Sequence, residues 1–140
     1  MRCPPTVVRD QGNVIVEFVG LVVCVMVPLA FVASSLWSVA VTQLALHNST
    51  HGASRAYVLS ETVPIAKARV AAVTSAAMSR YGIPGTTVRT VIRCSTSNCL
   101  VPGAYVTVTS SRMVTVRLPV IGARTVTVSA SDTAVVDVSR

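Results

Sequence analysis

The chain reads as an α+β protein: a long N-terminal transmembrane helix, then a short amphipathic helix, then a small antiparallel β-sheet. Three observations predict this. No charged residue occurs from Phe18 to Ser54, and Phe18–Leu46 is a dense apolar run of 29 residues; about 20 suffice to cross a bilayer. From Pro64 to Tyr81 the apolar residues recur at helical spacing. After Pro84-Gly85 the pattern changes to Val/Thr alternation punctuated by turn residues.

The bulk composition suits that layout. Of 140 residues, 51% are hydrophobic but only 4% aromatic, which fits a membrane helix with a small β-rich domain and argues against an enzyme with a deep aromatic pocket. The formal charge is +7. The basic residues beyond Ser49 (Arg55, Lys67, Arg69, Arg80, Arg89, Arg93, Arg112, Arg117, Arg124 and Arg140) are scattered singly. Without a stripe or interleaved aromatics they read as a solvated basic surface, so no nucleic-acid partner is expected. Weak attraction to anionic surfaces is compatible with them.

Taken in order, residues 1–12 are short and basic, with Arg2, Arg9 and two prolines. Residues 13–46 read as the membrane helix. Its N-terminal end is expected at the cytoplasmic face, as Arg2 and Arg9 favour, with the remainder outside the cell membrane. Pro28 removes a helix hydrogen bond and predicts a kink. Ala30, Ser34, Ser38 and Thr42 recur every fourth residue and form a small stripe that lets another helix approach closely in lipid. Residues 47–82 carry the helix onward, weakened at Gly52, with a break near Thr62 and a second helix from Pro64. Its expected buried face is Ile65, Ala68, Ala72, Val73, Ala76 and Ala77, flanked by Met78, and Gly82 is the expected C-terminal cap.

Residues 83–140 form the β-rich part. The expected strands are Thr87–Arg93, Ala104–Thr109, Met113–Leu118, Thr125–Ala130 and Ala134–Val138, with turns at Pro102-Gly103, Ser110-Ser111 and Ile121-Gly122. Cys94 and Cys99 lie close together in a polar loop and, in an exported domain, read as a disulfide; free thiols and a metal site are the alternatives. Zinc lacks a second ligand pair nearby. His47 and His51, one turn apart, have no acidic or cysteine partner in view and read as a polar helix surface. Cys24 follows β-branched Val23, unlike a lipidation site. No nucleophile–base set, phosphate loop or carboxylate pair appears, and no cofactor is expected.

The most specific feature is Gly12-Asn13-Val14-Ile15-Val16-Glu17-Phe18. A carboxylate at the mouth of a membrane helix is costly and by default functional. The spacing matches a type IV prepilin-type processing site, cut before the apolar segment rather than after it. Glycine before the cut leaves no side chain to obstruct the peptidase. The cut frees an α-amine at Asn13, and Glu17 lies one turn away. An amine–carboxylate pair in low dielectric is strong, and breaking it is costly, so Glu17 can register one subunit against the next.

Gly12, Val16-Glu17-Phe18, the apolar segment with Pro28, and Gly52-Ala53-Ser54-Arg55-Ala56 together resemble the TadE-like minor pilins of the Tad (tight-adherence) system. The resemblance covers residues 9–60. Relative to the family element, a serine precedes Arg55 and His51 stands where an acid is common. The resemblance implies a non-enzymatic pseudopilin, processed by prepilin peptidase after Gly12 and assembling with other pilin subunits in a pilus or secretion machine. The alternative is a signal-anchored or secreted extracytoplasmic binding module; Ser38-Val39-Ala40 would serve as its signal-peptidase site.

Overall fold

The computed structural model describes residues 14–118 and 122–137, with only the backbone of Leu118 described. The fold is α+β. Helix α1 (Val14–Val58) is one helix of 45 residues, about 68 Å long at 1.5 Å per residue. It runs through Pro28 and Gly52 without interruption. Helix α2 (Val63–Ser79) follows a short break. A 3-10 turn (Gly85–Thr87) leads to strands β1 (Arg89–Cys94), β2 (Tyr105–Leu118) and β3 (Gly122–Val135). The sheet is antiparallel in the order β1-β2-β3.

The breaks follow the local chemistry. Thr62 takes an extended conformation before Pro64 in the first turn of α2, where a missing N–H costs nothing. Gly82 ends α2 at φ +67°. The Ile83 N–H reaches the Met78 carbonyl at 3.1 Å and the Gly82 N–H reaches that of Ser79 at 3.0 Å, the paired bonds that satisfy a helix C-terminus. Met78 and Ile83 then pack in one cluster.

Three sequence expectations change. Ser110-Ser111 is not a turn: both serines lie within β2, paired with Ala130 and Ser129 of β3. Ser131-Asp132-Thr133 likewise continues β3. Four expected strands are therefore two strands of 14 residues each. Hydroxyl side chains suit either a turn or a strand, and the ladder is kept because their backbones pair along its whole length. In α2 the buried residues are Ala66, Val70, Thr74 and Met78, while Ile65, Ala68, Ala72 and Ala76 are exposed. Val73 and Ala77 of the expected face are half-buried at its edge, so the helix is turned to bring Val70 into the lobe with Tyr57 and Met78 into the lobe with Leu46.

The third change concerns α1. Its first half, Val14 to Phe31, is exposed almost all round, with large apolar side chains on every side. Its second half is the spine of the domain. Ala45, Leu46, Ala53 and Tyr57 are buried, as are Ser49, Thr50 and Ser54. The β2–β3 hairpin lies along this half with β3 running in the same direction: Ser35 Oγ donates to the Arg117 carbonyl (3.0 Å) and Gln43 Nε2 to that of Ser129 (3.4 Å). Residues 35–46, apolar enough to read as membrane, are thus covered on one side by the domain's own sheet.

The core has two lobes. One unites Ala45, Leu46, Met78, Ile83, Val114, Val128 and Ala130. The other, farther from the bare end, unites Ala53, Tyr57, Ala66, Val70, Val106, Val108 and Val136. Between them sit buried hydroxyls. Ser49 and Thr50 donate to the Leu46 carbonyl (2.9 and 2.6 Å), so α1 satisfies its own buried polar groups. Thr74 Oγ1 has no partner among the described residues. Helices α1 and α2 cross closely at Gly52, where a Cβ would stand 3.1 Å from Val73 Cγ1.

Candidate functional site

Two regions carry chemistry: the bare end of α1 and the junction between α1 and β3. At the first, Glu17 occupies the first turn of α1 and is exposed. A carboxylate there meets the unpaired N–H groups and positive dipole end of the helix, which favour a negative charge. Gly12 and Asn13, the expected processing site, lie outside the described residues. Pro28, Ala30, Ser34 and Ser38 are all exposed on the bare helix, whereas Thr42 is buried in the domain. The stripe open to a neighbour is therefore Ala30, Ser34 and Ser38. Within it Ser34 Oγ donates to the Phe31 carbonyl (2.9 Å), and the buried Thr42 Oγ1 donates to the Ser38 carbonyl (2.8 Å). Free Cys24 is exposed on the same helix.

At the junction, Asp132 of β3 meets two groups of α1. Ser54 Oγ donates to Asp132 Oδ2 and also lies 2.9 Å from the His51 carbonyl. The single hydroxyl proton favours the carboxylate, whose charge strengthens the bond. His51 Nδ1 stands 3.4 Å from the same Oδ2. His51 is therefore more than a polar surface residue: it pairs with a carboxylate 81 positions away in the chain. Local sequence spacing holds no signal for that pairing. A cleft of about 420 Å³ opens beside it, lined by His51, Arg55, Leu59, Asp132 and Val135 among others.

The arrangement joins sheet to helix and lacks the geometry of a nucleophilic site. Ser54 is fully buried and turns its hydroxyl to a carboxylate and a carbonyl, so the imidazole is not placed to take its proton. Among the described residues, no three His, Cys, Asp or Glu side chains gather as metal ligands.

Cys94 and Cys99 are disulfide-bonded, with Cα atoms 5.2 Å apart. The bond closes the loop after β1, and both cysteines and Leu100 pack on the outer core lobe. The loop is pinned again where Ser95 N–H donates to the Tyr105 carbonyl (3.0 Å) and Gly103 N–H to that of Val136 (2.9 Å). The pair thus covers the end of the domain farthest from the bare helix.

No protein-family model matches the chain, and no curated protein or solved structure does so either.

Proposed function

We propose that the chain is a TadE-like minor pilin, a pseudopilin that takes part in assembly of a Tad-type pilus or secretion machine. The observation that supports this most is the division of one continuous helix. Its first half is bare, apolar on all sides and marked by a single carboxylate in its first turn; its second half is the core of a small sheet domain. A subunit built this way can leave its apolar half in lipid or pack it against neighbours while the domain stays in water.

In this reading prepilin peptidase cuts after Gly12, and the freed amine of Asn13 pairs with Glu17 of its own chain or of a neighbour. The bare half crosses the cell membrane with its N-terminus inside. Ala30, Ser34 and Ser38 offer the close-packing stripe for other pilin subunits, and the disulfide-closed domain is extracytoplasmic. The role is structural, without cofactor or catalysis.

N-terminal sequencing of the membrane-extracted protein tests it. A start at Asn13 is expected; a start at Met1, or near Val41, would instead favour the anchored or secreted binding module. Gly12→Val should leave a larger, unprocessed band. Glu17→Val should be processed yet fail to co-purify with the assembled machine, and its normal assembly would remove the registration role.

A further inference from the structure

The membrane surface and the end of the β2–β3 hairpin fall at the same height. About 30 Å of hydrocarbon corresponds to about 20 helical residues. With Val14 at the inner edge, the outer edge falls at Ser34; with Phe18 there, it falls at Ser38. Inside that window, Ser35 Oγ holds the carbonyl of Arg117, in the last turn-ward stretch of β2. Trp37, the one tryptophan of the chain, lies in the same window and is 72% exposed, the setting in which tryptophan marks a membrane–water interface.

The domain's acids are confined to one end of the same axis, whereas the basic residues run its whole length. Arg117 and Arg124 flank the hairpin end, both exposed. Arg117 pairs in register with Ala123, and Arg124 with Val116. Paired residues share a face, so one guanidinium projects from each face of the hairpin. Neither has an ion-pair partner among the described residues. Arg112 and Arg89 follow at the level of Gln43, since Ser129 pairs with Ser111 and Ser111 with Arg89. Beyond the span the acids are Glu61, Asp132 and Asp137. All lie toward the other end: Asp132 is held by Ser54, about 28 Å along the helix from Ser35, and Glu61 follows the end of α1. At that far end Arg55, Lys67, Arg69 and Arg93 accompany the acids, so the uncompensated positive charge is concentrated at the hairpin end beside Ser35.

We propose that the β2–β3 hairpin end docks on the bilayer that α1 crosses, with Arg117 and Arg124 binding the headgroup phosphates of anionic phospholipids. This rests on the membrane-spanning part of the proposed function and is independent of processing or pilus assembly. Each arginine near an anionic surface strengthens docking about fivefold, an effect that salt screens. Docking holds the domain upright on its helix, and a subunit leaving the membrane must break these contacts.

The test uses the full chain in nanodiscs of phosphatidylcholine alone and of phosphatidylcholine with one third phosphatidylglycerol. Backbone hydrogen–deuterium exchange is followed in peptides covering 113–118 and 122–126. Exchange slower in the anionic discs, reversed by high salt and weakened in Arg117→Gln and Arg124→Gln, is the expected result. Equal exchange of the unaltered chain in both discs overturns the proposal without need of a variant. Inorganic phosphate added to the neutral discs should give no protection; if it does, the site takes a free anion and the lipid assignment is wrong. Quenching of Trp37 by brominated lipid chains reads the span separately. Its absence overturns the spanning reading itself, whereas quenching together with exchange that does not depend on lipid charge overturns docking alone.

Discussion

Leu46→Ala tests where the membrane helix ends and the folded domain begins. Leu46 is fully buried among Ala45, Met78, Ile83, Val114, Val128 and Ala130. Leu44, two residues earlier on the same helix, is 53% exposed. Both are leucines in the same hydropathic run, so a lipid environment for residues 13–46 treats them alike. In the domain core, deleting three buried carbons from Leu46 leaves a cavity between α1, α2 and the hairpin. The cost is about 3 kcal/mol, inside the range for fully buried leucines. The domain from Ser35 to Asp137 is near 100 residues, a size at which each kcal/mol lowers Tm by about 4–8 °C. Leu46→Ala should therefore melt roughly 12–24 °C below the parent. Thermal unfolding in a mild detergent, followed by circular dichroism in the β region, measures it. Leu44→Ala should change Tm by no more than a few degrees, and Leu29→Ala, on the bare half, not at all. Equal shifts for Leu44→Ala and Leu46→Ala would refute the reasoning and return residue 46 to the lipid.

Four further outcomes follow from the packing. A Cβ on Gly85 would stand 2.8 Å from Ser75 Cα, a backbone atom that cannot rotate away, so Gly85→Ala should cost about 1–3 kcal/mol in urea unfolding. Gly52→Ala should be close to neutral, because the 3.1 Å approach to Val73 Cγ1 is offset by about 1 kcal/mol of helix propensity. Tyr57 is buried, and desolvation raises its phenol above the ordinary 10.0. The folded state then keeps the proton longer than the unfolded chain, so this stabilisation is complete below pH 10 and is lost as pH rises through the raised folded value. Unfolding midpoints should fall there and Tyr57→Phe should flatten the decline; an equally steep fall in the variant would exclude Tyr57 as its source. Replacing Cys94 and Cys99 together by serine should cost about 2 kcal/mol, the loop being short, and an unchanged midpoint would show that the loop is held by Ser95 and Gly103 alone.

The elements visible in the sequence are those whose pattern is local. The uncharged run predicts the long helix, Pro64 and Gly82 bound α2, and Val/Thr alternation marks the sheet. What escaped depends on partners distant in the chain. Ser110-Ser111 resembles a turn until β3 pairs across it. Alanines all round α2 blur its apolar face, and the side that is buried is set by what Val70 and Met78 meet on α1 and the sheet. Hydropathy could not divide α1, because a leucine facing lipid and one facing Val114 have the same index. The His51–Asp132 pair is invisible for the same reason: it exists only once β3 lies beside α1. Glu17 is the opposite case, legible from sequence because its cost arises from its immediate neighbours.

The unbroken run of α1 from its first turn into the domain sets the subunit's azimuth. Each residue of a helix adds about 1.5 Å of height and about 100° of rotation. From Glu17 to Ser35, where the domain first grips the helix, the chain stays helical throughout. A subunit fixed at its inner end therefore presents one chosen side of its outer domain. Removing a single residue between Val19 and Ala33 would leave the span apolar and only slightly shorter, yet would turn the domain by more than a quarter of a circle. Height and facing are set by the same residue count.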